Sequence, residues 1–165
     1  MTDFAAIRSQ FPIFDQEIHG HPLVYLDSAA TSQKPQCVID AESDFYRTIN
    51  AGVHRGAHEL AARSTMAFED ARAKVAKLVG ADSAEGEEEI VVTAGATAGL
   101  NLLATAFGNA SLGRGGEAAR RFAVKPGDES VVSKAEHHSV LLPFQELAVR
   151  TGATLKWFDL DDEGR

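Results

Sequence analysis

The sequence predicts an α/β fold built on a largely parallel sheet, and three observations support that prediction. Short apolar segments of strand type alternate along the chain with longer segments in which apolar residues recur at helical spacing. Turns of small residues connect strand to helix, as in parallel βα units. The chain has 165 residues, 44% apolar and 24% charged, which suffices to close a globular core without disulfides or metals.

Helix predictions rest on apolar periodicity and on the residues that bound each segment. The clearest stripe lies within 58–79, where Leu60, Phe68 and Val75 share one face and Gly80 follows as a C-terminal capping glycine. Thr2 is the N-cap expected for a short first helix. The other helical segments cover 2–9, 35–49, 100–107 and 140–150.

Strand predictions fall on short apolar runs flanked by turn-forming residues, at 23–26, 89–93, 130–133 and 153–158. A parallel sheet is normally covered by helices on both faces. No helix follows the last of these strands before the sequence ends at Arg165. The sequence is therefore expected to hold an incomplete domain.

Composition narrows the classes of partner. Twenty-four acidic residues against sixteen Lys and Arg give a net charge of −8, and no basic cluster exceeds Arg120-Arg121, which argues against nucleic acid. No apolar run reaches the roughly 18 residues of a membrane span. The start of the chain lacks the features of a secretion signal, and Cys37 has no partner for a disulfide. We expect a cytoplasmic protein that binds neither nucleic acid nor membrane.

Two strand ends carry residues suited to ligand binding, because ligands in open α/β sheets bind beyond the carboxyl ends of the strands. At 93–97, small residues at a helix start leave backbone N–H groups free to face an anion, and the Thr97 hydroxyl can donate as well. The spacing is neither a dinucleotide fingerprint nor a phosphate loop of the Walker type. A packed turn without a ligand therefore remains the alternative.

Histidines mark the second strand end and one loop. His137 and His138 follow the strand at 130–133, and on an extended segment at most one of them would face a given ligand. Loop histidines satisfied by hydrogen bonds are the alternative, and a metal site lacks further ligands. His58 is expected to cap the long helix, whereas His54 and Arg55 precede it as candidate ligand contacts, with Arg55 suited to a carboxylate. A surface ion pair would explain Arg55 equally well.

Several motifs of the sequence, taken together, resemble those of a known family. They are the Phe-Pro entry at Phe11-Pro12, the segments 25–35 and 50–56, the turn at 126–129, and Glu136-His137-His138-Ser139. The sequence resembles the N-terminal part of a group II cysteine desulfurase, within the class V aminotransferase family. The resemblance runs through nearly the whole chain.

The resemblance implies the beginning of an aminotransferase type I large domain and the cofactor pyridoxal 5′-phosphate. It implies a homodimer that takes sulfur from L-cysteine as an enzyme persulfide, releases L-alanine and serves iron–sulfur cluster assembly through a sulfur-acceptor protein. Ala96 and Thr97 would hold the cofactor phosphate, and His137 would stack on the cofactor ring and assist proton transfer. Ala29, His54 and Arg55 would lie near the substrate. Residues 1–55 would join the small domain, and 56–165 would begin the large, cofactor-binding domain.

The sequence also departs from the family. The phosphate turn commonly reads Gly-Thr-Thr-Glu, whereas this chain has Gly95-Ala96-Thr97-Ala98, so we expect weaker phosphate anchoring. The Ser-x-His-Lys pattern of the family's cofactor-binding lysine does not occur among the six lysines, and the family's nucleophilic cysteine is also missing. Cys37 is expected to be a buried apolar residue rather than a nucleophile.

We therefore expect an N-terminal portion that is inactive alone. Two alternatives stay open, namely a selenocysteine lyase or other class V enzyme, and a non-catalytic remnant that binds a partner protein.

Overall fold

The computed structural model describes residues 2–81, 89–161 and 163. Their contacts divide the chain into two compact units, the first within residues 1–90 and the second within 91–165. The domain boundary expected between residues 55 and 56 stays a prediction.

The first unit is mostly helical. Asp3 caps its first helix in place of the expected Thr2, because the Asp3 carboxylate accepts hydrogen bonds from the N–H groups of Ala5 and Ala6 at 3.0 and 3.1 Å. The elements of this unit are α1 (Phe4–Arg8), a 3-10 helix (Pro12–Asp15), the antiparallel pair β1 (Glu17–Ile18) and β2 (His21–Pro22), α2 (Gln36–Thr48) and α3 (Glu59–Val79).

The long helix α3 begins and ends at the residues that the sequence predicts. His58 caps it through its imidazole, and Gly80 ends it in the left-handed conformation with φ of 77°. Ser64 is fully buried, and its hydroxyl donates to the Ala51 carbonyl at 3.0 Å. Gly56 lies against the first turn, where an added Cβ would come within 2.8 Å of the Ala61 Cβ. Small residues therefore let the preceding loop approach α3 closely.

The second unit contains the parallel pair of strands. Residues 129–133 pair with 154–158 in parallel register, from Glu129 opposite Thr154 to Ser133 opposite Phe158. A helix connects the two strands, as in a βαβ unit. The elements are α4 (Ala96–Ser111), α5 (Gly116–Ala119), a 3-10 helix (Arg120–Phe122), β3 (Glu129–Ser133), α6 (His138–Thr151) and β4 (Thr154–Phe158).

Small apolar side chains form the core of the second unit. Ala104 of α4, Val132 of β3 and both Leu147 and Ala148 of α6 are buried. Alanine at such positions lets α4 and α6 pack side by side at close range. This helix pair positions the residues of the candidate site described below.

Two strand predictions are wrong for the described residues. Residues 23–26 form no strand, and the Tyr25 hydroxyl instead lies 2.9 Å from the Asp27 carbonyl oxygen and 2.6 Å from that of Thr31, closing a bend. Residues 89–93 also form no strand, although the Ile90 carbonyl accepts a hydrogen bond from Arg72 Nε at 3.1 Å. Both runs have strand composition but no ladder partner among the described residues, and a strand requires one.

The predicted fold class is confirmed, because the structure is a partial α/β fold with a short parallel sheet. The prediction that Cys37 is buried is wrong, because this residue is exposed on α2. Within the described part of the chain, no helix is both long enough and apolar enough to cross a membrane.

We expect Leu147→Ala to lower the free energy of unfolding of the second unit by about 2–3 kcal/mol, because the leucine is 1% exposed and its removal leaves a cavity. Urea unfolding followed by the fluorescence of Trp157, the single tryptophan of the chain, measures the change. Val149→Ala on the same helix is the control, with a change below about 0.5 kcal/mol, since Val149 is 75% exposed. Equal midpoints for the two variants would contradict this description of the core.

Candidate functional site

The start of α4 offers backbone donors that no described residue binds. Gly95 stands at the N-cap with φ of 101° and provides no side-chain capping bond. The Thr93 hydroxyl donates to the Gly95 carbonyl at 3.0 Å. This bond holds the turn that leads from residues 89–93 into α4. The first N–H groups of a helix have no partner within the helix. The geometry therefore leaves the N–H groups of Ala96 and Thr97 open to an anion.

The start of α6 is capped by a histidine. His137 has extended backbone angles, and its Nδ1 accepts a hydrogen bond from the Ser139 N–H at 3.1 Å. The Ser139 hydroxyl lies 2.9 Å from the same nitrogen. Imidazole takes the role that serine or aspartate usually plays at this position. The His137 ring is thereby held at the N-terminus of α6.

The two helix starts share one cleft of about 320 Å³. It brings together Thr97, which was predicted to bind phosphate, and His137, which was predicted to face the cofactor ring. The lining residues are Thr97 and Asn101 from α4, and His137, His138, Ser139, Leu142 and Pro143 from the start of α6.

His138 lines this cleft together with His137, with ring centroids 6.2 Å apart. That at most one of the two faces a given ligand stays a prediction, but its premise does not hold. It assumed an extended segment, on which neighbouring side chains point to opposite sides. His138 is instead the first residue of α6, where successive side chains are about 100° apart.

Ala29 lies in the first unit, within the turn at residues 28–30. The Asp27 carbonyl accepts hydrogen bonds from the N–H groups of Ala30 and Thr31 at 3.1 and 3.3 Å, and the Tyr25 hydroxyl closes the same bend. Ala29 is exposed. A small side chain in a fixed, exposed turn leaves the backbone accessible to a ligand.

His54 is part of a network on α3. Its Nε2 lies 2.8 Å from Glu69 Oε1, and Arg72 binds the other carboxylate oxygen at 2.7 Å. The His54 N–H donates to the Thr65 hydroxyl at 3.0 Å. These bonds hold His54 at φ of 57°, a conformation that is costly for a residue other than glycine.

Arg55, next to His54, is exposed. Its guanidinium forms no ion pair with any of the described residues. The surface ion pair considered above for Arg55 is thus not seen within residues 2–81 and 89–161. An exposed guanidinium of this kind can bind a carboxylate in two-pronged geometry.

A larger cavity of about 440 Å³ lies at the other ends of α4 and α6, and Lys125 and Arg150 are among its lining residues. It contains none of the predicted site residues. Helix C-termini present carbonyl groups and partial negative charge, and Arg150 in the last turn complements that charge.

Sequence reasoning gave no role to two polar residues of the cleft, Asn101 and Ser139. Asn101 lies one turn after Thr97 on α4, and its amide donates to the Thr97 carbonyl at 2.9 Å. Helical spacing of four residues would have placed it on the same face. Ser139 follows His137 by two residues, the spacing at which an N-cap side chain meets a backbone N–H. No group of three or more metal-ligating side chains converges among the described residues.

The sequence and the fold are those of a known family. Residues 24–165 match the aminotransferase class-V family, and the chain belongs to that family. A protein of Streptomyces coelicolor named "Probable cysteine desulfurase" is 46% identical over 166 residues, which cover the whole of this chain and 37% of that protein.

Two solved structures are similar to this chain. The apo cysteine desulfurase of Thermococcus onnurineus superimposes with a TM-score of 0.79 and 34% identity, over all of this chain and 36% of that one. A C-DES mutant with glycine covalently linked to its PLP cofactor shares the fold, with a TM-score of 0.62 and 19% identity over 97% of this chain and 34% of that one. The chain spans about a third of the length of these proteins.

We expect Glu69→Gln to lower the stability of the first unit by about 1 kcal/mol, because a neutral amide weakens the bonds to both His54 and Arg72. Thermal unfolding of the variant and the parent chain measures the loss. Asp70→Asn is the matched control, since it removes the same charge at the next, exposed position of α3. An equal loss in the control would show that net charge, rather than this network, determines the effect.

Proposed function

We propose that the chain is the N-terminal part of a pyridoxal phosphate-dependent cysteine desulfurase, which takes sulfur from L-cysteine as an enzyme persulfide and releases L-alanine. The observation that carries the proposal is the cleft in which the open start of α4 and the Thr97 hydroxyl meet His137. The names of the relatives support the choice of reaction within the family.

The residues of the cleft fit the cofactor in two respects. Backbone N–H groups at the start of α4 and the hydroxyl of Thr97 are donors suited to a phosphate, so Ala96 and Thr97 would hold it. An imidazole fixed on the same cleft gives a flat surface for an aromatic ring, so His137 would face the pyridine ring and assist proton transfer. When bound, pyridoxal phosphate supplies the electron sink, and the protein supplies orientation and electrostatics.

The phosphate turn relies on backbone more than on side chains. Ala96 and Ala98 stand on either side of Thr97, so a single hydroxyl adds to the N–H groups of the first turn. Each hydrogen bond to a charged group contributes about 1.5–3 kcal/mol. We infer weaker anchoring of the phosphate than in a turn with two hydroxyls.

We propose that residues of the first unit contact the substrate. Arg55 has an exposed guanidinium suited to the carboxylate of an amino acid, and Ala29 lies in an accessible turn. His54 would act from a fixed position, because Thr65 and Glu69 hold its backbone and ring. Its role near the substrate would then depend on the integrity of the α3 network.

The remaining features of the activity concern the whole protein. We propose that it is a cytoplasmic homodimer that passes sulfur to an acceptor protein for iron–sulfur cluster assembly. The 165 residues contain no Ser-x-His-Lys pattern, which in the family includes the lysine that binds the cofactor. We therefore propose that these residues alone are inactive.

The proposal is tested on the native gene product and on the 165-residue chain in parallel. We expect the gene product to carry a pyridoxyl adduct by intact mass after borohydride reduction. Without that treatment, we expect it to release alanine from L-cysteine, and sulfide when a thiol reductant is added to reduce the persulfide. The 165 residues should release neither. A gene product without an adduct would favour a non-catalytic remnant, an alternative that the two alanines of the phosphate turn support. Release of selenide from selenocysteine, with no sulfide from cysteine, would instead indicate a selenocysteine lyase.

Thr97→Val in the gene product should raise the dissociation constant for pyridoxal phosphate about tenfold, because it removes one hydrogen bond to a charged phosphate. Equilibrium dialysis with fluorescence detection of the cofactor measures the constant. Thr105→Val, at a second exposed threonine of α4 outside the cleft, should change it less than twofold, roughly the noise of the method. Equal constants for Thr97→Val and the parent would remove Thr97 from the phosphate site.

A further inference from the structure

One nitrogen of the His137 imidazole, Nδ1, can accept hydrogen bonds from two groups of Ser139. The Ser139 N–H meets Nδ1 at 3.1 Å, and the Ser139 hydroxyl lies 2.9 Å from that same atom. The hydroxyl alone would not define the tautomer, because a hydroxyl can donate or accept. The backbone N–H can only donate.

The backbone bond therefore favours a ring proton on Nε2, and a hydroxyl that donates to the same Nδ1 strengthens that preference. A proton on Nδ1 would point at the hydrogen of the Ser139 N–H and would break the cap of α6. With Nδ1 acting as acceptor, the hydroxyl of Ser139 becomes a second donor to it. A neutral His137 then carries its proton on Nε2, the nitrogen that has no hydrogen-bond partner among the described residues.

We propose that Ser139 is a positioning residue, which holds His137 as the Nε2–H tautomer and leaves that nitrogen as the one that exchanges a proton in the cleft. Nothing in the Glu-His-His motif alone distinguishes the two ring nitrogens. The tautomer follows from the capping geometry, whereas its importance for proton transfer rests on the proposed function. The two parts can therefore be tested separately.

A second histidine cap within the chain provides an internal reference. His58 caps α3 through Nδ1, which accepts the Ala61 N–H at 3.3 Å, with no hydroxyl on that nitrogen among the described residues. His58 thus has the backbone donor alone, and His137 has the backbone donor and a hydroxyl. The comparison isolates the contribution of the Ser139 side chain.

The first experiment records two-bond ¹H–¹⁵N correlations of the histidine rings of the 165-residue chain in alkaline buffer, where histidine is neutral. These correlations separate the two tautomers. The His137→Asn and His58→Asn variants assign the signals, and asparagine keeps each helix capped. We expect the Nε2–H pattern for His137, and we expect Ser139→Ala to shift its signals towards those of His58. Ser139→Thr retains the hydroxyl and should restore the parent pattern.

Two results would overturn the inference. The first is a predominant Nδ1–H tautomer of His137 in the parent chain. The second is an identical tautomer pattern in the parent and Ser139→Ala, which would mean that the backbone N–H alone suffices. Neither result depends on cofactor binding or activity.

The catalytic consequence is measured on the gene product with its cofactor bound. Ser139→Ala should lower kcat about tenfold with KM unchanged within twofold, because the proton-transfer group is less well held while substrate binding is intact. Ser139→Thr should recover the rate. An unchanged kcat alongside the expected tautomer shift would contradict the catalytic part alone, whereas a gene product without desulfurase activity would contradict the proposed function.

Discussion

The candidate site depends on the packing of α4 beside α6. Ala104 on one helix and Leu147 and Ala148 on the other are buried, and these side chains bring the two helices together. Both helices run from the same end of the unit, since their first turns line the cleft and their last turns line the larger cavity. The N-terminus of α4, with backbone donors that no described residue binds, therefore lies beside the histidine-capped N-terminus of α6. A looser contact would separate Thr97 from His137, which lie forty residues apart in the sequence.

Capping chemistry links this fold to its proposed function. A serine or aspartate at position 137 would also start α6, but it would leave the cleft without an imidazole. Gly95, in contrast, starts α4 without occupying the first-turn N–H groups. One helix start is capped by a group able to transfer protons, and the other is left open to an anion. Under the proposed function, the two helix starts would serve two different parts of one ligand.

The first unit shows how a residue suited to chemistry can also carry structural bonds. The sequence predicts His54 near the substrate. In the structure, its Nε2 forms a hydrogen bond with the Glu69 carboxylate, and its backbone N–H donates to the Thr65 hydroxyl. Its left-handed conformation requires support of this kind. Arg55, the next residue, has no such bonds to its guanidinium among the described residues. Neighbouring positions in one loop thus differ in how free they are to meet a ligand, and only the contacts reveal that difference.

The sequence by itself determined several of the helices and the family. Apolar periodicity and caps such as Gly80 are local, so α2, α3 and α6 were predictable to within about two residues. The motifs identified the class V family, whereas the phosphate site at the small-residue turn stays a prediction. Tertiary structure decided the rest. Strands depend on partners distant in sequence, so the segments 23–26 and 89–93 have strand composition without forming strands. The cleft that joins Thr97 to His137, and the bonds that fix the His137 ring, arise from packing and capping geometry that no local pattern encodes.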